Sequence, residues 1–91
     1  MATVTRLYFQ APDYSASYDY NDQTLKLTAV HVTNNTGATL TIEVRQSSDD
    51  SLVVSHDFAV GQSDLNIPAG QQHTVTLTPQ GKVSNLYAKT V

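Results

Sequence analysis

The chain has 91 residues, room for one small domain, and only 14% of them are charged against the roughly 25% of an average soluble domain. Net charge is −3, and the five basic residues (Arg6, Lys26, Arg45, Lys82, Lys89) are too scattered to follow a phosphate backbone, which argues against a nucleic-acid partner. There is no cysteine, so disulfides and thiolate metal sites are excluded, and so small a chain must bury a good core, associate, or both.

In chain order, "MATVTRLYFQAPDY" lacks a basic region followed by an apolar one, so no secretory signal is expected. No run approaches the roughly eighteen apolar residues of a membrane span, and no membrane partner is expected. Residues 4–9, "VTRLYF", read as a terminal strand. The next stretch, "PDYSASYDYNDQ" at 12–23, holds three of the five tyrosines, Tyr14, Tyr18 and Tyr20. A ring with a polar tip suits interfaces and sugar stacking, so Tyr8, Phe9, Tyr14, Tyr18 and Tyr20 form the candidate contact set. The same enrichment also fits rings that roof one end of a core. On this reading residues 1–23 are an N-terminal strand plus contact segment, and 24–91 are the body of a single domain.

From Leu25 onward the period is two. Leu25, Leu27 and Ala29 share one parity and Val30 and Val32 the other, a switch that predicts a β-bulge or sheet-switching bend. Leu40, Ile42 and Val44 alternate with Thr41, Glu43 and Arg45; Leu52, Val54, His56, Phe58 and Val60 share a face; His73, Val75 and Leu77 alternate with Thr74, Thr76 and Thr78. "SNLYAKTV" at 84–91 reads as the last strand. Turn residues punctuate the runs at Pro12-Asp13, Asn21-Asp22, Asn34–Gly37, Ser47–Asp50, Gly61–Asp64, Pro68–Gly70 and Pro79–Gly81. The expected fold is all-β, a small antiparallel sandwich of immunoglobulin-like or jelly-roll-like type with about seven to eight strands. Asn34-Asn35-Thr36 is a glycosylation sequon by spelling, but its turn chemistry predicts a hairpin between Val32 and Leu40.

The order "LTAVHVTNNTGATLTIEVR", a variable hairpin, then "LNIPAGQQHTVTL" resembles a recurring β-sandwich domain of tailed-phage virions. There a strand ending Val-x-Val-x-Asn passes through a Thr-Gly turn into an alternating strand, and an Ile-Pro-Ala-Gly turn launches another. Residues 25–45 and 65–78, somewhat over a third of the chain, carry the match. The resemblance implies a non-enzymatic structural role: a capsid decoration or cement subunit stabilising the head, or a piece of neck or tail. It implies synthesis in the host cytoplasm, a place on the virion, and partners in the major capsid protein and copies of the chain itself, as a trimer. A carbohydrate-binding or adhesion module using the Tyr-rich segment is the alternative, with glycan as partner.

No cofactor, metal or catalytic residue is expected. The three histidines, His31, His56 and His73, could hold a metal only by converging, and nothing in their spacing requires that; half-buried or rim positions are the expectation. Glu43 is the only glutamate, and His56 and Asp57 point to opposite faces of a strand. "DYNDQ" at 19–23 gathers oxygen ligands but lacks the glycine and distal glutamate of a calcium loop. With few lysines to protect sheet edges and threonines on outward faces, the composition favours a chain whose edges an assembly covers.

Overall fold

The computed structural model describes residues 3–91, with side chains from Phe9 onward. Among them seven strands run β1 (Thr3–Ala11), β2 (Tyr14–Asn21), β3 (Lys26–Asn34), β4 (Leu40–Gln46), β5 (Leu52–Phe58), β6 (Asp64–Asn66) and β7 (Leu86–Thr90), with one 3-10 turn at Ala69–Gln71. They form two antiparallel sheets, β1-β2-β3-β6 and β5-β4-β7, facing each other as a sandwich. The predicted turn signals fall between elements, at strand ends (Asn21, Asn34, Asp64) or in the 3-10 turn.

Alternation builds the core. Ala16, Tyr18 and Tyr20 of β2, Leu27, Val30 and Val32 of β3, and Ile42 and Val44 of β4 are buried, joined by Phe58, Ile67, Val75, Val83 and Leu86. The predicted parity switch is a bulge at Thr28. Asp19 pairs with Ala29 but Tyr20 pairs with Leu27, so one extra residue moves the inward parity from Leu27 to Val30 and Val32.

Three expectations need correction. The Asn34–Gly37 turn reverses the chain but is not a hairpin: β3 belongs to the first sheet and β4 to the second, so the turn arches between layers. Residues 73–78 alternate as predicted, with Val75 buried, yet no continuous strand forms. Residues 73–75 bond to 25–27 and residues 76–78 to 82–84, so each half has a different partner. In β5 a second bulge sets Val44 opposite Val54 and Arg45 opposite Leu52, so the extra residue Val53 moves Leu52 off the inward face and leaves it 52% exposed. Val60 lies beyond the strand end and is 62% exposed.

Residues 3–21 supply the first two strands of the sandwich. β2 pairs along its length with β1 on one side and β3 on the other, so it is an interior strand of the sandwich.

Candidate functional site

Where the tyrosines lie decides the expected contact set. β2 alternates Tyr14, Ala16, Tyr18, Tyr20 toward the core, and Tyr18 and Tyr20 are 0% and 2% exposed. Neither can serve as a surface contact. The physical reason is volume: a chain with no tryptophan and two phenylalanines must fill the space between its sheets with other large rings. The Tyr20 hydroxyl donates to the Gly81 carbonyl at 3.2 Å, tying β2 to the last turn before β7. Tyr14 is half-buried and meets Phe9 with ring centroids 5.1 Å apart and planes tilted by 45°. This pair closes the β1–β2 hairpin end and keeps part of its surface in solvent. The side chain of Tyr8 lies outside the described residues.

Among the described residues the edge strand to which Phe9 belongs, β1, is the longest of the sheet edges. β1 has nine residues, "TVTRLYFQA", and among the described residues it pairs with β2 alone. An edge strand offers a row of backbone donors and acceptors to any extended chain, and lysine, proline or shortness usually protects it. β1 is long, has neither lysine nor proline, and carries one charge, Arg6. A register shift between Leu7 and Phe9 is its one irregularity.

The histidines are half-buried and occupy three separate places. His56 lies edge-on to Phe58, ring centroids 4.8 Å apart. His73 Nε2 is 2.9 Å from the side-chain amide nitrogen of Gln46, which donates to it if the imidazole is neutral with its proton on Nδ1. His31 sits on the outer face of the first sheet between two carboxylates. Its Nε2 is 2.6 Å from Asp19 Oδ2 in β2, and its Nδ1 is 2.5 Å from Asp64 Oδ1 in β6. Partial burial pulls the His31 pKa down, but the hydrogen bonds and charges of Asp19 and Asp64 outweigh it, and the pKa is raised above its ordinary 6.5. Sequence reasoning missed this cluster because its members are 12 and 33 positions apart. Only the β2–β3–β6 register brings them together.

The remaining polar groups serve local structure. Asn21, which is buried, accepts hydrogen bonds through Oδ1 from the backbone of Gln23 and Thr24, while Asp19 faces His31, so the 19–23 oxygens do not share a focus. Among the described residues no group of three or more histidine, aspartate or glutamate side chains is arranged to hold a metal. Asn34 of the sequon accepts from the Thr36 backbone and hydroxyl at 3.0 and 2.6 Å and donates to the Ala38 carbonyl at 2.8 Å, the bonds of an Asx turn. On β4, Arg45 donates two 3.1 Å bonds to Glu43; that hydrogen bonding, with smaller help from the Arg45 and Lys89 charges, lowers the Glu43 pKa despite its partial desolvation.

Among the described residues two hollows stand out. A cavity of about 70 Å³ lies between β5 and β6, lined by Val53, Val54, Leu65 and Ile67 among others. A shallow polar hollow of about 390 Å³ is lined by Lys26, Gln46, Gln72, His73, Thr74 and Asn85. In the second the polar groups already bond one another: Lys26 Nζ donates to Thr74 Oγ1, and the Asn85 amide bridges the backbones of Thr74 and Thr76. Comparison with protein-family models, with curated proteins and with solved structures finds no match.

Proposed function

We propose that the protein is a non-enzymatic structural subunit of a tailed-phage type of virion, most simply a capsid decoration subunit that docks along the edge of β1. The observation that carries the docking is this nine-residue strand, bonded on one side only among the described residues and guarded by a single charge. The virion itself rests on the resemblance of residues 25–45 and 65–78 to phage sandwich domains. A subunit that binds the assembled shell and not its dissociated parts stabilises the shell by mass action, and strand addition supplies backbone hydrogen bonds for that contact. The partners are the shell protein and copies of the chain. The carbohydrate-binding alternative needs exposed ring platforms, and Tyr18 and Tyr20 are buried.

The test is the solution mass by light scattering, alone and with intact capsids from the source, followed by co-sedimentation. Wild-type protein is expected to load capsids at a stoichiometry comparable to the shell protein. A Thr5→Lys/Gln10→Lys variant, folded by circular dichroism, is expected to bind at least about tenfold more weakly, because edge lysines obstruct strand pairing. Wild-type protein that ignores capsids sinks the virion reading. Unimpaired binding by the variant removes β1 as the contact.

A further inference from the structure

The His31 cluster has a property that follows from counting protons. A neutral imidazole carries one N–H, so it can donate to one carboxylate while its other nitrogen presents a lone pair. Here both ring nitrogens lie within 2.6 Å of carboxylate oxygens. With both aspartates ionised, only the imidazolium satisfies both contacts, as two charge-assisted hydrogen bonds. Among the described residues the charged groups acting on His31 are Asp19 from β2 and Asp64 from β6; no charged group of its own strand contributes.

The three residues belong to strands held very differently. β2 and β3 pair over nearly their full lengths, whereas β6 is three residues long and joins the sheet through β3 alone. His31 and Asp64 are directly opposite in the β3–β6 ladder. The seam is flanked by two backbone bonds, Val32 N–H to the Ser63 carbonyl at 2.8 Å and Ile67 N–H to the Thr28 carbonyl at 2.9 Å. Behind it, half-buried Leu65 and buried Ile67 line the small cavity against β5.

We propose that Asp19–His31–Asp64 is a protonation-dependent latch on β6: charged His31 holds the strand to the sheet, and neutral His31 releases Asp64, loosens residues 61–67 and turns β3 into a sheet edge. Exposure decides which contact opens. The Asp19 side chain is 17% exposed and that of Asp64 58%, so the remaining proton stays on Nε2 with the less solvated carboxylate, while Asp64 turns to water. The sign follows from linkage. A pKa raised in the folded state gives stabilisation that is complete below the unfolded value near 6.5 and is lost as pH rises through the folded value.

The experiment is NMR on the full chain at about pH 6 and about pH 9, spanning the range over which a raised histidine titrates. It follows the His31 ring signals and amide exchange, with protection factors corrected for intrinsic rates. His31 is expected to titrate above 6.5. Protection at Val32 and Ile67 is expected to fall about tenfold at the higher pH, the size of one charge-assisted bond discounted for solvent exposure, and amides that exchange only through global unfolding fall by no more than that. In Asp64→Asn the amide can donate to the lone pair of neutral Nδ1, so the fall at Val32 and Ile67 is expected to disappear. A His31 midpoint at or below 6.5 overturns the latch. So does unchanged protection at the seam, or the wild-type response persisting in Asp64→Asn.

Discussion

Replacing Tyr18 by alanine separates a core residue from a contact residue, because the two roles predict opposite outcomes. Tyr18 is 0% exposed and sits in an interior strand, opposite Arg6 of β1 and Val30 of β3 in register. Truncating a fully buried ring to a methyl group costs about 3–5 kcal/mol, through lost transfer energy and the cavity left between sheets that cannot collapse onto it. A chain of this length has about 5–14 kcal/mol of total stability, so the loss is a large share of the whole. At about 4–8 °C per kcal/mol for so small a domain, the expected drop in melting temperature is about 12–40 °C. Thermal and urea unfolding followed by far-UV circular dichroism read it directly. Tyr14→Ala is the internal control: half-buried against Phe9, it should cost about 1–2 kcal/mol. A Tyr18→Ala protein melting within about 5 °C of wild type would refute the argument, and a simultaneous loss of particle or glycan binding would return this ring to the surface.

Removing residues 1–23 deletes β1 and β2 together, uncovering β3 and taking Tyr18 and Tyr20 from the core, so the 24–91 fragment is expected to be unfolded by circular dichroism; a cooperative melt from it would show that the first two strands are dispensable. Asn34→Ala breaks the turn bonds to Thr36 and Ala38 and should cost about 1–2 kcal/mol, seen as a lower urea midpoint. Gly61→Ala should cost about 1–2 kcal/mol from its φ of +90° alone, because nothing lies within 4 Å of the added methyl group. Gly70→Ala, equally free of contacts and without a positive φ, should be neutral or slightly stabilising by the same denaturation assay. Global stability should fall as pH rises through the raised His31 pKa, and the urea midpoint of His31→Gln should lose that component of the pH dependence.

What the sequence made legible was the face each residue takes; what it left dark was the partner across the strand. Leu40, Ile42 and Val44 announce a half-buried strand because the pleat puts every second side chain on one side, and β4 is that strand. The switch at Ala29–Val30 announces an extra residue, and the bulge at Thr28 supplies it. The alternation of Tyr14, Ala16, Tyr18 and Tyr20 carries the same signal, but ring enrichment alone does not separate a contact surface from a core face, and for Tyr18 and Tyr20 it is the core face. Residues 73–78 show the converse limit: the parity of Val75 and Leu77 is right, yet periodicity cannot reveal that the backbone changes partners between Val75 and Thr76. Turn chemistry at Asn34–Gly37 has the same limit, since a reversal looks alike whether the next strand joins the same sheet or the opposite one. The His31 cluster needed both bulge and register, because the inserted residue at Thr28 decides that His31 faces outward toward Asp19 and Asp64.

The four sheet edges make different demands on a protein so poor in lysine. β6 limits its own edge by being three residues long, too short to template much pairing, and β7 has five residues with Lys89 among them. β5 is interrupted by its bulge at Val53, and Asp57 on its outer face accepts from the Thr41 hydroxyl at 2.7 Å. β1 relies on neither shortness nor lysine, and its register shift lies just past its middle, leaving Thr3 to Leu7 in unbroken pairing with β2. An edge of that length left in water is an aggregation hazard unless a partner covers it. The latch adds a second, conditional edge behind β6, because β3 carries Val30 and Val32 and would offer its own ladder positions once β6 loosens. The proposed docking strand and the proposed latch therefore lie on opposite margins of the same sheet, with β2 and β3 between them. If both hold, β1 binds its partner at any pH near neutrality, while the β3 edge opens only as His31 loses its proton. Capsid loading that stays constant across the His31 titration, measured beside exchange at Val32 that does not, would establish that the two edges act independently.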